Sequence, residues 1–487
     1  MTNVSFSIRY YDIFREDYRE ISVRPPAFSD VSSRKVVSFG NLTVVPAFID
    51  AHAHPISLAV KYNWFDLFQV KRKKDLLNFI KSFADSKREP FIGYNFDESM
   101  WEDDRTYPTR KELDDVAPEI PVLLIRIDGH MGVINTMGIN SLGLHRDLFS
   151  DFDLGIIVED NLTTVISRFV NMLGIPPREE ALDVFIENGI AIICDMDLAY
   201  SVPKGFLERI SEKIKLFYYR TLENMERISE DTLLGAIRKY GVKGHGIKLF
   251  VDGSIGARTA YLSESYNDDP GNRGKLLLDE DTLSEIVRLA DKLRLQLAIH
   301  AIGDNAIDIA LRCLKNADPT LRHRIEHFEM PHRDHIEKLA KYGVVPSMQP
   351  NFIANWQGRG GLYERRLGWD RAKRMNPLKS ILEKRGIIAF GSDCMPVGPL
   401  YGIYGAMSHP LDDEKLNFRE SIYSYTYGAA YSIFLENKYG KMDVGYNASF
   451  VVISIDPRSI SPENIRSAKV VRFFVDGKEV SARDRMV

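Results

Sequence analysis

The stretch that decides the fold is Val44-Val45-Pro46-Ala47-Phe48-Ile49-Asp50-Ala51-His52-Ala53-His54. A short apolar run, 44–50, ends in an acid and leads into two histidines separated by a single residue. In extended chain, residues two apart point to the same side, so both imidazoles face one way. The run is rich in Val, Ile and Phe without clean alternation, as expected of a parallel strand covered on both faces. Seven further runs, most of this kind, follow at 189–195, 216–220, 246–252, 295–300, 323–327, 343–349 and 386–393. Helical patterns lie between them at 204–214, 282–293, 306–314, 335–342 and 377–384, the last with Asn376 as N-cap and Pro377 at the first helical position. Eight strands alternating with helices predict an α/β fold, a (β/α)8 TIM-like barrel over 46–437.

The first two runs lie too far apart for a single βα unit, so an inserted subdomain is expected after strand 1, at about 60–180. It has its own strand-like run at 121–127, leading into Asp128-Gly129-His130. The two ends of the chain alternate in short β-like pieces. They are expected to form a small composite β-sandwich domain, 1–45 with 438–487, beside the barrel.

Composition excludes several classes. With 64 Lys+Arg against 68 Asp+Glu, the net charge of −4 leaves no basic excess to neutralise a phosphate backbone, so no nucleic-acid partner is expected. No run of about 18 apolar residues occurs, so no membrane partner is expected either. Asp12, Arg15, Glu16 and Asp17 arrive before any apolar stretch of signal-peptide length, and Cys194, Cys313 and Cys394 are too scattered for a disulfide framework. The expected location is the cytoplasm, the expected partner a small-molecule substrate, and a homodimer is compatible with the chain. There is no Gly-X-Gly-X-X-Gly after a strand, no Gly-X-Ser-X-Gly and no His-Glu-X-X-His.

What informs is where the histidines fall. His52 and His54 follow the first predicted strand, His300 ends the fifth, His327 ends the sixth, and Asp393 ends the eighth. The C-terminal face of such a barrel is where sites are built. Imidazoles and a carboxylate converging there suit Zn2+ or a similar divalent metal. Taken singly, each has a plainer reading: a chance His-X-His, a core histidine, a capping Asp. Lys248 interrupts the apolar fourth run, where an ammonium is costly unless it is paired or neutral. It is either a salt-bridged barrel lysine or a desolvated amine able to take up CO2 as a carbamate.

The first-strand segment resembles the signature of the amidohydrolase superfamily of metal-dependent hydrolases. More narrowly, the chain resembles its amidohydrolase-3 (YtcJ-like) group, which is related to N-substituted formamide deformylase. Motifs along most of the chain carry the resemblance: Gly93-Tyr94-Asn95-Phe96-Asp97-Glu98, Asp128-Gly129-His130, Lys248-Leu249-Phe250-Val251-Asp252-Gly253-Ser254, His300-Ala301-Ile302-Gly303-Asp304, Arg322-His323-Arg324-Ile325-Glu326-His327 and Gly391-Ser392-Asp393. It implies His52, His54, His300, His327 and Asp393 as metal ligands, with Asp393 also the proton acceptor. It further implies Lys248 as a residue whose carbamate can bridge two metals, so that one or two Zn2+ ions are expected. Asp195 and Asp197 are a fallback bridging carboxylate.

The expected reaction is metal-dependent hydrolysis of a C–N bond in an amide, formamide or cyclic amide, with Asp393 as general base. His130 and Arg324 are candidate oxyanion donors. Asn95, Asp97, Trp101 and Trp356 are candidate pocket residues, and Arg365, Arg366 and Arg371 are either an anion-attracting cluster or a solvated face. The alternatives are an isomerase or decarboxylase on the same scaffold, or a catalytically silent scaffold protein.

Overall fold

A computed structural model describes residues 5–174, 177–196, 205–222, 228–238 and 245–481. Eight parallel strands form the barrel: β1 (Phe48–Ala53), β2 (Ile190–Asp195), β3 (Lys215–Thr221), β4 (Gly246–Phe250), β5 (Gln296–Ala301), β6 (Arg324–His327), β7 (Val345–Met348) and β8 (Ala389–Phe390). They follow one another in sequence order around the sheet. β1, β2 and β5 are buried at every position, the mark of strands sandwiched between a packed interior and a layer of helices. One of those helices, Glu280–Leu293, starts where Asp279 caps the Thr282 N–H and stops at Arg294 in the left-handed region.

The last strand meets the first through side chains as much as through a ladder. The Asp393 N–H donates to the His52 carbonyl at 2.7 Å. The Ser392 N–H and Oγ–H donate to the two carboxylate oxygens of Asp50 at 2.9 and 2.5 Å. Gly391 makes this approach possible, since a Cβ there would lie 2.4 Å from the His52 nitrogen.

Some boundaries differ from the sequence reading. The run 44–50 belongs to two sheets: Thr43–Pro46 pairs with Phe450–Ile453, and the barrel strand starts only at Phe48. The run 386–393 contributes just two ladder residues, because Gly386 ends the preceding helix at φ +73° and Gly391–Asp393 turn toward β1. Asn376 does not cap that helix; its amide donates to the Gln357 side chain, and Pro377 takes the cap position. Lys204, the expected start of another helix, lies outside the described residues.

Between β1 and β2 a five-stranded sheet builds the insertion, its strands Phe65–Asp66, Phe91–Phe96, Val122–Arg126, Met131–Ile134 and Ile156–Val158 adjacent in chain order. Beside the barrel, four N-terminal strands form one sheet, while Thr43–Pro46 joins the C-terminal strands in another. The two sheets share a core that includes Ile8, Val23, Phe28, Phe450 and Phe474. No helix among the described residues is long and apolar enough to cross a membrane.

Candidate metal centre

His52, on β1, is buried, and its Nδ1 lies 2.6 Å from a Glu326 carboxylate oxygen. A carboxylate only accepts, so Nδ1 carries the proton and Nε2 presents its lone pair to the barrel mouth. Glu326 is held in turn by Arg324, whose Nε and Nη2 donate to its two oxygens at 2.8 and 2.9 Å. On β6 alternation would turn His327 away from the side that Glu326 occupies. His327 instead takes a left-handed φ of +71°, and its ring centroid comes within 4.7 Å of that of His52 and 4.4 Å of that of His300. Asp393 is likewise left-handed at φ +52°, and its Oδ1 lies 3.0 Å from His54 Nε2 and 3.7 Å from His52 Nε2. Strained backbone at two of these positions is characteristic of functional sites.

One atom from each of His52, His327 and Asp393 fits within a 4.8 Å cluster, the spacing a single ion requires. His52 Nε2, His54 Nδ1 and His327 Nδ1 are buried without a hydrogen-bond partner among the described residues. Buried polar atoms are almost always satisfied, so the unpaired nitrogens of His52 and His327, which belong to that cluster with Asp393, fit a divalent metal, while His54 lies outside the cluster. Burial above all, reinforced by Lys248 and by neighbouring histidines, holds His52, His300 and His327 well below the ordinary imidazole range, which keeps them neutral and able to ligate. His300 Nε2 lies 3.1 Å from the Gly253 carbonyl, so Nδ1 is the nitrogen left to ligate. Lys248 is 1 % exposed on β4, and burial pushes its pKa down to about 8. His52, His54, Lys248, His300, His327 and Asp393 all line one cavity of about 470 Å³.

Residues 35–481 match the model of the amidohydrolase family. The chain belongs to that family. Among curated relatives, this amidohydrolase is 30 % identical to YtcJ of Bacillus subtilis, over 91 % of this chain and 90 % of that one. It is 24 % identical to the N-substituted formamide deformylase of Arthrobacter pascens, over 94 % and 91 %. Among solved structures, an uncharacterized metal-dependent hydrolase from Pyrococcus horikoshii superposes with a TM-score of 0.72 at 25 % identity, covering 94 % of this chain and 99 % of the other. The amidohydrolase is thus a hydrolase.

Its remaining expected site residues separate into two groups. His130 reaches the cavity from the insertion, with its ring centroid 5.3 Å from that of His300 and its Nδ1 2.8 Å from Glu159. Burial opposes its charge, but Glu159 and Asp128 outweigh that and push its pKa up to about 9. Asn95 also lines the cavity, and Trp356 lines a small annex beside it.

The other group is a correction. Arg324 is fully buried inside the barrel, and its donors go to Glu326, the Ala51 carbonyl, Ser347 and Tyr219, so it orients Glu326 rather than an oxyanion. Asp97 caps the Ser99 N–H and accepts from the Trp356 indole N–H at 3.1 Å, so it positions Trp356 and does not face the cavity. Trp101 is 0 % exposed in the insertion's core, among Leu67, Phe91 and Phe96. Arg366 is neither an anion trap nor a solvated residue; it is buried against Glu98 and Asp268. Glu98 also pairs with Arg126 at 2.9 Å, so this network ties the insertion to the barrel loops.

Several residues of the site were not singled out by sequence reasoning. Glu326 could have been, because it stands two residues after Arg324 and so shares its side of the strand. Glu159 had no local signal, since its partner His130 lies 29 residues away. Asp252, pushed up to about 7 by burial, accepts the Ile302, Gly303 and Tyr261 N–H groups and anchors the loop after His300. Of the fallback pair, Asp195 is buried at the end of β2, and Asp197 lies outside the described residues.

Proposed function

We propose that this chain hydrolyses the C–N bond of an amide, formamide or cyclic amide of small size, with Asp393 as general base. The observation that carries the reading is that His52, His54, Lys248, His300, His327 and Asp393 all line one cavity, with His52 Nε2, His54 Nδ1 and His327 Nδ1 buried and unpaired among the described residues. A divalent ion held by these residues, Zn2+ by the chemistry of its donors, supplies Lewis acidity and lowers the pKa of a water toward ~7. In this reading Lys248 joins the ligand set as a carbamate, its neutral amine adding CO2 and releasing a proton.

Asp393 accepts the proton of the attacking water and returns it to the leaving nitrogen. His130 gives its Nδ1–H to Glu159 and keeps an Nε2–H for the oxyanion that develops on the carbonyl oxygen, where a preorganised cation is worth most. His130→Ala is therefore expected to lower kcat about 10²–10³-fold with a smaller change in KM. A KM change alone would assign His130 to substrate binding.

A panel of amides, formamides and cyclic imides, assayed before and after dialysis against a chelator, tests the reading as a whole. Turnover should disappear with the metal and return on adding Zn2+, and the thermal midpoint should fall in the stripped protein. Turnover indifferent to chelation would overturn it.

A further inference from the structure

The helix Pro55–Lys61 follows directly on His54 and forms one wall of the cavity. Ser57 and Lys61 stand four residues apart, so they share a helix face, and both line the cavity. Ser57 is 3 % exposed, yet its hydroxyl has no hydrogen-bond partner among the described residues. The Lys61 ammonium is half-buried over the rings of Tyr94 and Trp64, at 5.6 and 5.9 Å. No ion pair ties it to a carboxylate among the described residues; Asp393, Asp66 and the Cys394 thiol act on it only from a distance. Burial pulls its pKa below the ordinary lysine value, as expected of an ammonium without a close counter-ion. The other basic groups of the cavity are already engaged, His130 with Glu159 and Lys248 among the metal-site residues.

We infer that this wall is an anion seat and that the substrate is an amide bearing a carboxylate, which accepts hydrogen bonds from Ser57 Oγ and Lys61 Nζ. The inference rests on the amide-hydrolase reading above and names its substrate class. The Lys61 Cα lies about 10 Å along the helix from His54, with Ser57 between them on the face that Lys61 shares. The carboxylate therefore sits a few bonds from the scissile C–N bond, as in an N-acyl amino acid. An annex of about 30 Å³ that shares His327 and Asp393 with the cavity, lined by Arg126, Asp128 and Glu329 as well as Phe352 and Trp356, has room for a group about the size of a formyl.

Two measurements test this. The first compares kcat/KM of the zinc-loaded protein for N-formyl and N-acetyl derivatives of glycine, leucine and phenylalanine with that for their neutral carboxamides. The acids should be favoured at least ten-fold, with the preference collapsing in Lys61→Met and retained in Lys61→Arg. The second is calorimetric binding of N-acetyl-leucine and N-acetyl-leucinamide to metal-free protein, where the acid should bind more tightly and Lys61→Met or Ser57→Ala should erase the difference. Hydrolysis without an acid preference, or equal effects of Lys61→Met on both ligand types, overturns the anion seat and leaves amide hydrolysis standing. A Lys61-dependent preference for the acid without turnover of any amide supports the seat and overturns the amide reading. If neither preference nor turnover is observed, both are overturned.

Discussion

Asp393→Asn is expected to reduce kcat by at least about 10³-fold while the protein stays folded. Asparagine keeps the volume and an acceptor oxygen, but it cannot take the proton of the attacking water, and it ligates a divalent ion weakly. The fold should tolerate the change, because closure of the barrel at this point uses the backbone N–H of residue 393 and the Ser392–Asp50 contacts, not the Asp393 side chain. Steady-state rates and a thermal melt together decide the matter. A variant with near wild-type kcat would remove Asp393 from the chemistry, and one that melts far earlier would recast it as structural.

Glu326→Ala should produce the largest combined effect on stability and metal affinity. Arg324 and Glu326 are both fully buried and doubly hydrogen-bonded. Removing the acid leaves a guanidinium without its counter-charge inside the barrel, which costs about 3–5 kcal/mol. The same substitution frees His52 Nδ1 from the group that fixes its proton and orientation, and losing such a partner weakens metal binding about 10–100-fold. Denaturant unfolding reads the first effect, and competition with a chromophoric chelator reads the second. Loss of stability with unaltered metal affinity would mean that His52 is not a ligand.

The barrel was legible because most of its strands are short apolar runs closed by a polar or glycine cluster, a pattern that burial on both faces enforces. Boundaries were less legible. Nothing in 44–50 marks that the backbone leaves one sheet at Pro46 and enters another at Phe48, since both are buried. His52, His54, His300, His327 and Asp393 stood out because each closes a run. Asp97 and Arg366 misled for one shared reason. A polar or aromatic residue near a mouth motif looks functional until its partner is known, and the partners lie far off in the chain: Trp356 for Asp97, Glu98 for Arg366. Arg324 illustrates the limit well, because its acidic partner is two residues away, yet its reach to Ala51 and Ser347 across the barrel exists only in three dimensions.

The seam between β8 and β1 has a consequence for the life of the protein. His52 and Asp393 come from opposite ends of the barrel sequence, and the hydrogen bond between their backbones is part of what shuts the cylinder. A nascent chain still on the ribosome with its eighth strand unmade has the early histidines but not the late carboxylate, so it offers only an incomplete claw to the ion. Under the metal-site reading, an ion bound by the full ligand set stabilises the finished cylinder over every partial one.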